Sequence, residues 1–278
     1  MAAIPGPALR RVDVPPKLVP YLRSMWKQRE LAVSIARNDL RSQNGGLLLG
    51  WWWNLLDPLF LMGVYWLVFG LVLAGRRPEN FLSFLAVGIF LFRFTQRSVT
   101  QGAKSIVKNT EMIRQLRFPR ALLPLSDVIR TGNQLLWQIP VMMLIVLLDA
   151  RVLRAGWLVL LAVVLPVLAA LAFGSALVFA RLSHAVQDVG RVLPYLFRLA
   201  FYSSGVLFPL DVLLADHPLQ PFLVLNPFYA FVSLARHLVL APAPSPTALW
   251  VSFLVWSLGT LVGGTMFFIR AERRYGRG

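Results

Sequence analysis

The sequence predicts an all-α integral membrane protein that crosses the bilayer six times, and three observations carry that prediction. Of 278 residues, 57% are apolar and only 14% charged, with a mean hydropathy of +0.64, which leaves too little polar surface to coat a soluble globule. Apolar runs near the ~20 residues a helix needs to cross ~30 Å of hydrocarbon recur along the chain. The many Arg and Lys residues crowd next to those runs, and gathering most of them on one side of the membrane requires an even number of crossings.

Residues 1–20 are proline-rich, carry Arg10, Arg11, Asp13 and Lys17, and read as a mobile tail. Residues 21–50 form an interfacial amphipathic helix and loop. A helical projection of 20–41 gathers Leu22, Met25, Trp26, Val33, Ala36 and Leu40 on one stripe beside Arg23, Lys27, Glu30, Arg37 and Arg41, with Leu31 and Ile35 outside it. Indole rings and basic side chains together suit the membrane interface. Gln43-Asn44-Gly45-Gly46 breaks that helix.

Residues 51–270 are expected to form the transmembrane domain. Trp51, Trp52 and Trp53 mark the headgroup level, and spans follow at about 55–73 and 81–100, with Arg93 and Arg97 late in the second. Spans three and four fall at 121–148, with Asp127 and Arg130 near its start, and at 157–180. Arg181 to Arg191 reads as a loop, span five as 192–209, and span six as 247–269, ahead of a basic tail at 271–278. Residues 211–240 are apolar but split by Asn226-Pro227. A full crossing there would put the basic C-terminus outside, so the segment is expected to dip into the outer leaflet and return, which irregular backbone tolerates only where it is buried in protein or faces water.

Between spans two and three lies the polar stretch QGAKSIVKNTEMIRQLRFPR, 101–120. Read as a helix over 104–117, it places Ile106, Ile113 and Leu116 on one side and Lys104, Lys108, Glu111 and Arg114 on the other. It should stop at Phe118-Pro119, because proline disfavours helix in the residue before it. A solvated loop, a membrane-surface helix and a docking element for a soluble partner all fit this pattern.

Several chemistries are excluded or unsupported. The chain has no cysteine, so disulfides, thiolate metal sites and a cysteine nucleophile are out. His184, His217 and His237 are far apart, with no HExxH, and no metal site is expected. Gly102-Ala103-Lys104-Ser105 lacks the glycine before the lysine that a phosphate loop needs. The net charge of +16 would suggest nucleic acid in a soluble chain, but here topology and anionic lipid account for it, so no nucleic-acid partner is expected. A membrane glycosyltransferase would need convergent acidic groups, and the first outer loop offers only Glu79.

What the apolar body does carry is a polar stripe: Arg191, Tyr195, Arg198 and Tyr202 recur at helical spacing along span five. Arginine at mid-bilayer costs about 2.5–3.5 kcal/mol on insertion scales, so the stripe should face water, protein or a polar ligand, or snorkel to the interface. Arg93 with Arg97, and Asp127 with Arg130, read as inner-leaflet anchors or an ion-pair cluster. Tyr65, Trp66, Phe69 and Phe60 on span one could stack on sugar rings, packing being the commoner role.

The motifs LLLGWWWNLLDP (47–58), NTEMIRQLRFPRALLPLS (109–126), QDVGRVLPYLF (187–197), SGVLFPLD (204–211), LNPFYAFVSLARHLVL (225–240) and the terminal FFIRAERRYG appear in order at matching topological positions. From about Arg37 onward the chain resembles the membrane subunit of ABC-2 type polysaccharide exporters of the Wzm type, which move O-antigen, teichoic acid or galactan. The resemblance implies a permease that is not itself an enzyme, without a cofactor of its own, ATP and Mg being bound by a partner. The implied assembly is a homodimer with two copies of a nucleotide-binding ATPase in a bacterial plasma membrane, both termini cytoplasmic. The implied cargo is a polyprenyl-pyrophosphate-linked glycan. The resemblance makes the cytoplasmic loop the coupling helix (Lys104, Ile106, Lys108, Asn109, Glu111, Ile113, Arg114, Leu116). It suggests Tyr65, Trp66, Arg191, Tyr195, Arg198 and Tyr202 as channel candidates, and Pro209, Asp211, Asn226 and Pro227 as outer gate. The preponderance of Arg over Lys hints at a GC-rich bacterial genome, on which galactan comes first among cargoes and O-antigen second. A permease for a small drug or lipid, or a membrane glycosyltransferase, is the competing expectation.

Overall fold

The computed structural model describes residues 18–44, 49–72, 80–241, 246–272 and 275. Among these residues the chain is helical, without strands. The helices are α1 (Leu18–Lys27), α2 (Arg29–Asn44), α3 (Trp53–Val72), α4 (Phe81–Lys108), α5 (Thr110–Gln115), α6 (Leu122–Asp149), α7 (Gly156–Val159), α8 (Leu165–Ala185), α9 (Val189–Ser203), α10 (Leu210–Leu213), α11 (Pro227–Val239) and α12 (Thr247–Ile269), with 3-10 turns at Gly50–Trp52 and Gln220–Leu225. A π-helical turn, Leu160–Val164, joins α7 to α8. Pro166 just beyond it has no N–H to give the carbonyl four residues back, and a wider turn accommodates that loss.

Among the described residues, five helices are long and apolar enough to cross a membrane: Trp53–Leu71, Phe81–Lys108, Leu122–Asp149, Gly156–Ala185 and Thr247–Ile269. The protein is therefore a multi-pass membrane protein. The segment read as span five, 192–209, instead contains the 15-residue α9, only about 22 Å long at 1.5 Å per residue. Its helix stops because Gly205 takes a left-handed φ of 70°, and residues 204–209 run irregularly to α10.

Several boundaries differ from the sequence reading. The interfacial helix is two helices that meet at Gln28. It buries Tyr21, Met25, Ala32 and Ala36 and leaves Leu22, Trp26 and Val33 exposed; Leu31 and Ile35, outside the expected stripe, pack on the protein. The helix is apolar on two sides because one meets protein and the other faces outward. Leu18 to Pro20, read as tail, open α1, and residues 1–17 lie outside the described set. The loop read at 181–191 is shorter, since α8 runs to Ala185 and α9 begins at Val189.

α4 is the central post, flanked by α6 and α8, while α8 carries α12 on its other side. The α8–α12 crossing is close because Gly174 and Gly264 meet backbone to backbone, where any Cβ would collide. The main core runs along α4, α6, α8, α9, α11 and α12. A second apolar cluster sits at one end, where Tyr21, Met25, Ile106, Ile113, Leu122, Phe268 and Tyr275 converge.

α3 is the least embedded long helix, with Phe60, Val64, Leu67 and Leu71 exposed. Its polar foot ties it down. Pro58 cannot donate to the Asn54 carbonyl, and Gln138 Nε2 donates to that oxygen at 2.6 Å while Gln134 Nε2 donates to Asn54 Oδ1 at 2.9 Å. Asp57 accepts from both Arg93, at 2.9 Å, and Arg97.

Candidate functional site

The stretch expected to be one helix over 104–117 is divided. Lys104 to Lys108 are the last residues of α4, Asn109 leaves the helical conformation at φ −109°, ψ 28°, and α5 follows. Asn109 stabilises the break by donating Nδ2 to the Ser105 carbonyl at 2.8 Å. α5 ends at Gln115, two residues before the expected stop, and Leu116 is extended at φ −117°, ψ 141°. Leu116 is accordingly exposed rather than on the buried side. Ile106 and Ile113 are buried as expected, whereas Lys104, Lys108, Glu111 and Arg114 are exposed. The result is a bent, mainly basic edge anchored by two isoleucines. Gly102-Ala103-Lys104-Ser105 is ordinary helix, with Ser105 Oγ donating to the Gly102 carbonyl at 2.7 Å and Gly102 closely packed on Ala176.

A buried polar clamp that the sequence did not reveal holds this end together. Tyr21 Oη donates to Glu272 Oε2 at 2.9 Å and accepts from the Ala121 N–H at 3.1 Å, and the Arg120 N–H donates to Glu272 Oε1 at 2.9 Å. Burial pushes the Glu272 carboxyl above the ordinary glutamate range even though both donors favour its charge, and it raises the Tyr21 phenol as well. Residues 271–275, read as tail, therefore include buried Ala271, Glu272 and Tyr275. Lys108 reaches Asp39 on α2 at 3.2 Å, adding a bond between the bent edge and the interfacial helix.

The α9 stripe is real as a surface. Arg191, Tyr195, Arg198 and Tyr202 are all exposed, while Leu193, Phe197 and Phe201 on the other side are buried. The Arg198 guanidinium lies 5.9 Å from the Tyr195 ring centroid, and Arg191 is 3.7 Å from Asp188. Of the α3 aromatics, Tyr65 packs on Phe201 at 5.5 Å and Phe69 on Phe208 at 5.0 Å, whereas Trp66 and Phe60 point outward. Tyr65 thus joins α9, and Trp66 does not.

Asp127 and Arg130 pair at 3.1 Å, and Arg93 with Arg97 shares Asp57, so the ion-pair reading of these four is the one the geometry supports. The sequence could have signalled Asp57 through its place beside Pro58, but the two arginines are 36 and 40 residues away.

At the opposite end, Asn226 caps α11, accepting from the Phe228 N–H at 3.0 Å and donating to the Ser203 carbonyl at 2.9 Å. It ties the end of α9 to the start of α11, with Pro227 as the first residue of that helix. Ser252 and Trp256 of α12 donate to the Val224 and Leu225 carbonyls. Pro209 and Asp211 lie at α10, where Asp211 is exposed. Arg236, in the segment expected to dip into the outer leaflet, is buried. It donates to the carbonyls of Phe84, Gly205 and Val206 at 2.7–3.2 Å and lies over the Phe84 ring.

No family model matches the chain. It is similar to two O-antigen export system permease proteins, RfbA, of Klebsiella pneumoniae. One is 27% identical over 184 residues, covering 66% of this chain and 71% of the relative; the other is 24% identical over 238 residues, covering 86% and 91%. RfbA of Myxococcus xanthus is 28% identical over 218 residues, covering 78% of this chain and 82% of the relative. The resemblance to polysaccharide export permeases drawn from the motifs is borne out by these matches.

Proposed function

We propose that the chain is the transmembrane permease subunit of an ABC exporter for a lipid-linked polysaccharide. The observation that carries this reading is the similarity to O-antigen export permeases over most of the chain. The chemistry of the described residues fits it: cations and aromatics on an exposed helix face, and a bent basic edge suited to a partner.

In this proposal α3, α4, α6, the helix from α7 through α8, and α12 cross the membrane, α9 with residues 204–209 makes the fifth of six crossings, and both ends lie in the cytoplasm. Residues 211–240 return within the outer leaflet. That return is supported by the way Arg236, Asn226, Ser252 and Trp256 occupy carbonyls which lipid would leave unpaired. The bent edge from Lys104 to Leu116 docks on a separate ATPase, and two copies of each chain assemble. ATP binding in the partner moves the edge together with α1 and α2, which the Tyr21–Glu272 clamp and the Lys108–Asp39 pair bind to it. The exposed faces of α3 and α9 in the two copies border the path, where Arg198, Tyr195 and Tyr202 contact the glycan and its phosphates. Pro209, Asp211, Asn226 and Pro227 belong to the outer exit. The cargo proposed is an O-antigen-like chain, with galactan as the second choice.

Depletion of the protein should cause lipid-linked polymer to accumulate on the cytoplasmic side. Normal polymer export with altered drug resistance would instead favour a small-molecule permease. Reversing charge with Lys108→Glu and Arg114→Glu should uncouple ATP hydrolysis from export while leaving membrane insertion intact; unchanged export in that double variant would remove the docking role from this edge.

A further inference from the structure

Lys104 and Lys108 on α4, Ser183 on α8, and Gln187, Gly190 and Arg191 around the start of α9 line a cavity of about 410 Å³. It brings together residues assigned above to two separate roles, coupling and channel. Ser183 is 4% exposed, and its Oγ is buried with no hydrogen-bond partner among the described residues. Other buried serines, Ser105, Ser126, Ser204 and Ser257, donate to a carbonyl three or four residues back. A buried hydroxyl left without such a bond is an unmet donor, and the cavity is where a partner can reach it. A Cβ at Gly190 would sit in ordinary contact, 3.7 Å from Lys104 Cε and 4.0 Å from Ser183 Oγ, so a side chain larger than alanine there would narrow the cavity.

The charge in the cavity is positive. Lys104 has no acidic partner among the described residues. Lys108 and Arg191 are only partly neutralised, by Asp39 at 3.2 Å and Asp188 at 3.7 Å, in exposed pairs. Depth narrows the choice of anion. Lys104 stands 23 residues beyond the start of α4 at Phe81, or about 35 Å along a helix, just past ~30 Å of hydrocarbon and within the headgroup layer. Lipid phosphates are the anions concentrated at that depth.

We propose that this cavity is a binding site for a phosphate-class anion carried on a membrane lipid. On the export reading above, on which this part rests, its occupant is the diphosphate of the glycan carrier. Guanidinium and ammonium groups supply the charge and the Ser183 hydroxyl a fixed donor. Such a site sits on the edge proposed to meet the ATPase, so a loaded substrate would be felt where coupling occurs.

The test uses the full chain in phosphatidylcholine nanodiscs, titrated with farnesyl diphosphate and, separately, with inorganic pyrophosphate. Farnesyl diphosphate should bind saturably and at least tenfold more tightly than pyrophosphate. Ser183→Ala should weaken it about threefold to tenfold, and Lys104→Ala with Arg191→Ala at least thirtyfold, whereas Lys27→Ala, a cation elsewhere at the interface, should not change it. Absence of binding, or binding indifferent to Ser183 and to the Lys104/Arg191 pair, overturns the site. Full displacement by phosphatidylglycerol in the nanodisc would reassign the cavity to an ordinary phospholipid headgroup and overturn the diphosphate assignment. If the double variant loses a co-purifying ATPase with diphosphate binding intact, the cavity is a protein-docking surface and the proposal falls. The export reading is judged separately, by polymer accumulation on depletion, so the two can fail independently.

Discussion

α11 and α9 each carry an arginine in an apolar setting, and they use it in opposite ways. Arg236 on α11 is enclosed, with four donated bonds to three backbone carbonyls and the Phe84 ring beneath it. Arg198 on α9 is exposed, with the Tyr195 ring as its neighbour. The difference lies in the backbone around them. Irregular chain at 204–209 frees the Gly205 and Val206 carbonyls, which converge on Arg236 and make it structural; no freed carbonyl among the described residues meets Arg198, and its charge stays exposed beside the Tyr195 ring.

The largest effect that would test this contrast is on stability. Arg236→Met should destabilise the fold by at least about 3 kcal/mol, since hydrogen bonds to charged groups contribute about 1.5–3 kcal/mol each and the Gly205 and Val206 carbonyls are orphaned. Thermal unfolding in detergent checks it, and a wild-type melting temperature would remove Arg236 from the structural class. Next comes Gly88→Ala, whose Cβ would lie 2.6 Å from Arg236 Nη2. The expected cost is about 1–3 kcal/mol, as for other overpacked sites. In an Arg236→Met background much of that cost should vanish, because the two positions share one contact; additivity would show that the guanidinium is not what fills the space.

On the other side of the comparison, Arg198→Ala should leave stability within about 0.5 kcal/mol yet slow polymer export on the order of tenfold, the equivalent of one charge-assisted contact. Export at the wild-type rate would return Arg198 to interfacial snorkelling. The smallest effect concerns a second buried charge, Glu272. Because burial raises its carboxyl in the folded state, the folded form binds the proton more readily. Its contribution to stability is therefore fully present below the ordinary glutamate value of about 4.3 and is lost as pH rises through the raised one. Glu272→Gln should flatten the pH dependence of the melting temperature across that window, by less than about 4 °C. A pH profile identical to wild type would mean the clamp is not titrating there.

Read alone, the sequence determined where most of the long apolar helices lie. The expected span at 247–269 coincides with α12, and 121–148 is shifted by a single residue from α6. It also located the buried isoleucines of the bent edge, Ile106 and Ile113, and the exposed cations beside them, Lys104, Lys108 and Arg114. It placed the α9 stripe correctly as one face. These follow from hydrocarbon thickness and helical periodicity, which act on each segment separately and so leave their mark in local sequence.

Tertiary structure alone decided the pairings. Arg236 meets carbonyls up to 152 residues away, Tyr21 meets Glu272 across 251, and Lys104 comes to share a cavity with Ser183 and Arg191. It decided too that α4 bends at Asn109 and frees Leu116, and that α9 stops short at Gly205. A helix period says which residues share a face, but the groups that face meets depend on which distant helices cross it and how closely glycines let them approach. That is why polarity and length were legible from the chain while the partners of its buried charges were not.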